Sequence, residues 1–504
     1  MTDDSTCTPD GTDGTDKIES TDIPGSPVTT LPRTSYPATM PAVMPAVLPT
    51  ATQSVTVAFA GEGAGICELT WGQREIWLSM MRQGWLRMGG VLPLAPDTSV
   101  QDVADELAYM MSRYQSLRTR FRFDESGLAA QEIFASGEIM LEVYDTDDES
   151  GPQEKATAVE AKYLTVIRDY VDEWPVRMAV VRHRGVPTHL VVITCHLVSD
   201  GAGMRVLTRE VQARRQAPVE GMQLLDLACW QHSPAGERQT AVALRYTETL
   251  MRSVQPCLLR ESSDRRVPRH WTGKLNSPAL RLAVQVVSER TGADSASVIQ
   301  ALYAIVMGRR ALLNPAVIRP LVSNRFRPGL ADLVSNLVQS GIFVLDVAEM
   351  TVDEAIARAQ RASRTAYKHS YRDPDQEQAM VERIAQDQGP KAVAWSVQTW
   401  GFFNDRRTLQ SSAAQPAGGI TSELVERLLA DSQFSWTEKK ENTAEPLFLH
   451  VEDAPESIVL VVSGDTHFVS PADTEGLAWD IEAIAVQAMF DPAVPTLVPM
   501  AARS

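Results

Sequence analysis

The chain has 504 residues, 44% hydrophobic and 22% charged, enough for two or three ordinary domains or one large two-lobed one. Its 47 basic and 64 acidic residues leave a formal net charge of −17, which argues against nucleic acid and anionic membrane surfaces as main partners. The cysteines, Cys7, Cys67, Cys195, Cys229 and Cys257, are scattered without a CxxC pair, so neither a zinc site nor a disulfide framework follows.

Residues 1–52 are rich in Thr, Asp, Pro, Ser and Gly, and the near-repeat from Met40 to Val47 carries proline too often for a helix or central strand. A disordered tail is expected there. The acidic start is no secretory signal, and no apolar run approaches the ~20 residues of a membrane helix, so a cytoplasmic protein is expected.

The globular pattern starts near Val55, with a strand predicted to Ala60 and a helix from Leu69 to Arg82. Val100, Val103, Leu107, Met110, Met111 and Tyr114 fall on one helical face after the cap candidates Asp97, Thr98 and Ser99. Arg120–Phe123 and Gln131–Phe134 read as strands around a turn at 124–127, and Thr157–Tyr170 as a helix. Val176–Arg182 and Thr188–His196 read as two strands joined by a turn at 184–187, followed by a helix over Ala202–Arg215. After a looser stretch at 213–223, helices are predicted at Pro278–Arg290, Ala296–Gly308 and Val352–Tyr367. Strands are predicted at Ile342–Val347, Ala392–Phe403 and Ser457–Val462, and a loop at 415–419. Ser470, Pro471 and Asp473 open a last helix, with Leu477, Ile481, Ile484, Ala485 and Ala488 at helical spacing. Helices and strands mixed through both halves predict α/β layers in two lobes.

The segment Thr194-Cys195-His196-Leu197-Val198-Ser199-Asp200-Gly201 carries the chemistry. It places one of only eight histidines where a strand should turn into a loop and helix, and histidine exchanges a proton near neutral pH. On a regular strand Cys195 and His196 face opposite sides, so only one of them reaches a given pocket. A hydrogen-bonded core histidine is the competing reading, and the strand alone leaves the two near even. Other chemistries find less support. No G-x-S-x-G is present. Gly61 to Gly65 lacks a following Gly-Lys-Ser/Thr and reads as a loop. His189 faces away from His196 on a regular strand, and without HExxH no metal is expected.

The motif resembles the HHxxxDG signature of nonribosomal peptide synthetase condensation domains and related acyltransferases. Leu69 to Trp77 is similar to their S-x-A-Q-x-R-x-W segment, and Arg113 to Phe121 to R-H-E-x-L-R-T-x-F. Leu225 to Gln231 resembles x-D-Y-A-x-W-Q, and Val334 to Ser340 resembles V-G-x-F-V-N-T. Phe402 to Arg407 is the candidate for a further segment. The resemblance runs from about 55 to 490. Cys195 stands where the family has its first histidine, and Ser335 and Gln339 replace a glycine and an asparagine.

The resemblance implies two chloramphenicol acetyltransferase-like lobes in a V, with His196 in a tunnel between them. The lobes would cover 53–235 and 236–504. It implies an acyltransferase for specialised metabolites such as antibiotics; no adenylation or carrier domain follows, so a freestanding enzyme is expected, acting as a monomer. The donor thioester would arrive on the phosphopantetheine arm of an acyl or peptidyl carrier protein, or on CoA, with no bound cofactor. An amine would accept the acyl group to give an amide, or a hydroxyl to give an ester; a non-catalytic platform for carrier proteins is the reading from another class. In the catalytic readings His196 takes the acceptor's proton or orients it, and Gly201 makes room for the arm and presents its N–H. Asp200 supports the site by pairing with Arg325 of the second lobe, Cys195 fills a structural position, and Arg113, Arg118 and Trp77 belong to the scaffold.

Overall fold

The computed structural model describes residues 48–498, apart from 85, 124–128, 148–150, 166–169, 216, 255–258, 260–261, 312, 389–400, 408–418 and 442–444. The expected tail up to residue 47, the turn at 124–127, most of the strand expected at 392–403 and most of the loop at 415–419 lie outside the described residues.

The N-terminal half opens with β1 (Gln53–Ala60), β2 (Gly65–Glu68), α1 (Trp71–Gln83), β3 (Arg87–Pro93) and α2 (Val100–Arg113). It continues with β4 (Thr119–Phe123), β5 (Ala129–Ile133), β6 (Ser136–Thr146), α3 (Gly151–Thr165), β7 (Val176–His183), β8 (Val186–Cys195) and α4 (Gly201–Ala213). One sheet has the order β1-β6-β7-β8-β3, and β2, β5 and β4 form a small antiparallel sheet. β6 and β7 run parallel; the other pairs of the larger sheet are antiparallel.

The local causes are those the pattern predicts. Ser99 Oγ accepts the Asp102 N–H at 3.1 Å and caps α2. Val103, Leu107 and Met111 of α2 then bury one stripe in the same core as Val57 and Phe59, alternate residues of β1. On β8, Val191 and Ile193 pack with Ala156, Val159 and Tyr163 of α3. The β8 strand is thus central and covered, with β7 on one side and β3 on the other.

α5 (Leu224–Gln231) and α6 (Pro234–Ser253) lead into the C-terminal half. There follow β9 (His270–Ser277), α7 (Pro278–Thr291), α8 (Ser295–Ala311), β10 (Ala316–Val322), β11 (Gln339–Ser340), β12 (Phe343–Leu345) and α9 (Val352–Lys368). The chain ends with α10 (Pro374–Gln388), β13 (Gly401–Asp405), α11 (Ser422–Ala430), β14 (Gln433–Lys440), β15 (Leu447–Ala454), β16 (Ser457–Asp465) and α12 (Pro471–Phe490). An eight-stranded sheet runs β11-β10-β13-β15-β16-β9-β14, with β12 also on β10. β10, β13 and β15 are parallel, so their C-terminal ends share one edge. α8 is apolar nearly all round and lies at the centre of the large core with α7, α9 and α12. Ser470 Oγ caps α12 by accepting the Asp473 N–H at 3.1 Å, and Leu477, Ile481, Ile484, Ala485 and Ala488 are buried.

Several boundaries differ from expectation. The helix expected from 157 starts at Gly151, and the strand expected at 342–347 pairs only over Phe343–Leu345. The strand expected to reach His196 ends at Cys195, because the next residues form a turn closed by Val198 N–H on Cys195 O at 3.1 Å.

Candidate active site

The turn sets the direction of His196, rather than the alternation of a strand. The His196 N–H bonds Leu86 O, the residue before β3, at 3.0 Å. Its Nδ1 lies 3.0 Å from Ser199 O. A carbonyl oxygen only accepts, so Nδ1 carries the proton and neutral Nε2 is left as an acceptor. Cys195 is 1% exposed and packs in the core with Met178, Val180, Leu197 and Val206. The thiol therefore contributes to packing, as a small buried side chain does.

Burial pushes the His196 imidazole below its ordinary pKa, and the positive charge of Arg406 adds to this. The backbone hydrogen bonds and the Asp200 carboxylate pull the other way. The net direction favours a neutral base near pH 7.

Asp200 caps α4 and is 1% exposed. One carboxylate oxygen accepts Gly203 N–H at 2.7 Å and Arg325 Nη2 at 2.6 Å; the other accepts Leu337 N–H at 3.1 Å. Arg325, just beyond β10, also donates to the carbonyls of Leu333 at 2.5 Å and Ser335 at 3.2 Å. The structure brings together His196, Asp200 and Arg325 from both halves of the chain. Gly201 opens α4 and is exposed; among the described residues a Cβ built there meets only Arg205 Nη1 at 3.8 Å. The described residues therefore leave space open beside it.

The scaffold residues lie apart from this chemistry. Buried Arg118 donates to the carbonyls of Gly63 at 2.6 Å and of Glu62 and Phe134, and so holds the glycine-rich loop at 61–65. Arg113 bonds Ala217 O at 2.6 Å and Glu210 at 3.1 Å, and Trp77 is buried.

Sequence reasoning missed three contributors. A Cβ on Gly203 would stand 2.7 Å from Ser199 Oγ, too close for both to stay in place, and 3.4 Å from both Arg325 Nη2 and Asp200 Oδ1, so a glycine there lets Ser199 pack beside the ion pair. A Cβ on Gly72 would meet Asn336 O at 2.3 Å, because α1 presses on the 336–337 backbone. Gln339 Nε2 donates to Glu75 at 3.2 Å and to Arg372 O at 2.8 Å, and Ser340 N–H donates to Glu75 at 2.8 Å. The available signal was the second glycine of Gly201-Ala202-Gly203; nothing in the sequence pairs Glu75 with 339–340. Among the described residues no His, Cys, Asp and Glu side chains cluster as metal ligands, and no helix is long and apolar enough to cross a membrane.

Residues 73–381 match the family model for the Condensation domain. A nonribosomal peptide synthetase of Curvularia clavata is 23% identical over 324 residues, 60% of this chain and 2% of that protein. Surfactin synthase subunit 2 of Bacillus subtilis is 22% identical over 268 residues, 52% of this chain and 7% of that protein. The chain thus spans only a few per cent of the length of these curated relatives. The condensation domain for chain release from the enacyloxin polyketide synthase has a similar structure, with TM-score 0.65 and 16% identity over 88% of this chain and 86% of that one. The X-domain from teicoplanin biosynthesis matches with TM-score 0.64 and 18% identity over 88% of this chain and 99% of that one.

Proposed function

Because the chain belongs to the condensation-domain family, we propose that it transfers an acyl group from a carrier-protein or CoA thioester to an amine, forming an amide. The observation that carries this reading is the His196 imidazole. Its Nδ1 proton is committed to Ser199 O, and burial keeps it neutral, so Nε2 is available to take a proton.

The acceptor nitrogen attacks the thioester carbonyl carbon while its proton moves to Nε2. A C–N bond forms and the carbonyl electrons move to oxygen. The tetrahedral oxyanion then collapses, the C–S bond breaks, and Nε2 returns its proton to the departing sulfur. His196 ends in its starting tautomer. The Ser199 carbonyl stabilises the imidazolium formed in between. The Gly201 N–H, at the positive end of α4, is assigned to the oxyanion. Asp200 and Arg325 are positioning residues that hold the loop on which His196 sits.

The test is intact-mass tracking of acyl-loaded carrier proteins with an amine acceptor. Loss of the acyl mass together with amide product supports the reading. Carrier binding with no discharge replaces it with the recruitment platform, and discharge of acyl-CoA alone removes the carrier from it.

A further inference from the structure

Arg406 follows β13 directly, at the edge shared by the ends of β10, β13 and β15. Arg325, just beyond β10 on that edge, bonds Asp200 at 2.6 Å, so the His196 loop abuts it. Arg406 Nη1 donates to Glu452 at 3.1 Å, and Nη2 lies 3.5 Å from His450 Nε2. The Arg406 side chain is still 49% exposed. The His450 ring stacks on Phe448 with centroids 3.9 Å apart, and Phe448 packs on Phe402 at 5.5 Å. Burial and the Arg406 charge hold His450 neutral, and its enclosed Nδ1 has no hydrogen-bond partner among the described residues.

Along one face of β13 and β15 an aromatic strip thus leads to this edge and ends in a half-exposed guanidinium shared with one carboxylate. A cation there weakens the base, and a second carboxylate from a bound molecule would offset that. We propose that Arg406 is an anion site for the acceptor, and that it reads a free carboxylate on the molecule that supplies the nucleophile. A carrier-tethered acceptor has spent its carboxyl on the thioester. The site therefore fits an untethered amino acid. Arg406 is a specificity residue in this account. The inference rests on the acyl-transfer reading for the word acceptor, but its test uses no acyl donor.

The test is the NMR titration of the His196 imidazole, assigned with His196→Gln, in the presence of 3-aminobenzoate or 3-aminobenzamide. The amide keeps the amine and ring and lacks the charge, so it stands in for a tethered acceptor. The expected result is a saturable rise in the His196 pKa with the benzoate only. The rise should be lost in Arg406→Gln, partly kept in Arg406→Lys, and saturate at lower ligand in Glu452→Gln, which removes the competing carboxylate. No saturable rise, an equal rise with the amide, or an unchanged rise in folded Arg406→Gln overturns the proposal. Should Arg406→Gln not fold, Glu452→Gln decides: a midpoint that does not move to lower ligand overturns it. Failure of acyl transfer in the carrier assay would leave these titrations standing as a separate result.

Discussion

Asp200 is 1% exposed and its carboxylate accepts three donors, whereas the Arg406 side chain is 49% exposed and shared between Glu452 and His450. Both charges act on His196, one raising and one lowering its proton affinity. The first is locked by the fold: its partners come from α4, from the loop after β10 and from the 336–337 backbone. The second stays half exposed, with Glu452 and His450 as its side-chain partners among the described residues. A group enclosed by its partners can aim a neighbour, and a group that stays exposed can bind a substrate. The two sides of the site should therefore fail differently when altered.

The largest effect on the locked side is expected from Asp200→Ala. It strands Arg325 without its partner, and breaking a buried ion pair from one end costs about 3–5 kcal/mol. Urea unfolding should show this as a lowered midpoint together with lost activity. A midpoint near that of the parent protein would mean that the pair does not hold the loop.

The two nearby glycines sharpen the contrast within one turn of helix. Gly203→Ala should cost about 1–3 kcal/mol, because its methyl meets Ser199 Oγ beside the ion pair. Gly201→Ala should leave thermal unfolding unchanged and slow transfer by about ten- to hundredfold, because its methyl enters the space assigned to the thioester. Equal loss of stability in both would erase the distinction.

The pH dependence is a smaller effect with a definite sign. The folded-state pKa of His196 lies below its ordinary value, so the neutral base persists as pH falls through 6.5 and is lost only further down. The acid limb of the rate profile should move up in Arg406→Gln and down in Asp200→Asn, provided the latter folds. The smallest effect is expected from Arg74→Ala. It removes a pair with Asp375 at 2.9 Å that joins the halves at the surface, worth about 0–1 kcal/mol by thermal unfolding.

The sequence made some of this legible and hid the rest for physical reasons. α2 and α12 were readable because caps and an apolar stripe agree on the same register. α6 was not, because its buried face is Gly236, Thr240, Ala243, Thr247 and Met251, with little apolar periodicity. β10 was hidden by Arg319 and Pro320 inside a central strand. His196, Asp200 and the pairing with Arg325 were named from a motif and its family, and the structure places the last two 2.6 Å apart. The end of β8 at Cys195 was missed, since one residue decides whether the pleat or the turn aims the imidazole. Glu75 with Ser340, and Arg406 with His450, join residues far apart in sequence, so no local pattern could show them.

Nε2 of His196 is the proton acceptor on which the proposed transfer depends. Single-turnover transfer from an acyl-loaded carrier to an amine, followed by intact mass in the parent protein and in His196→Ala, tests it most directly. The predicted result is a folded variant whose transfer rate is lower by roughly 100- to 10,000-fold. Turnover at the parental rate in that variant would contradict it.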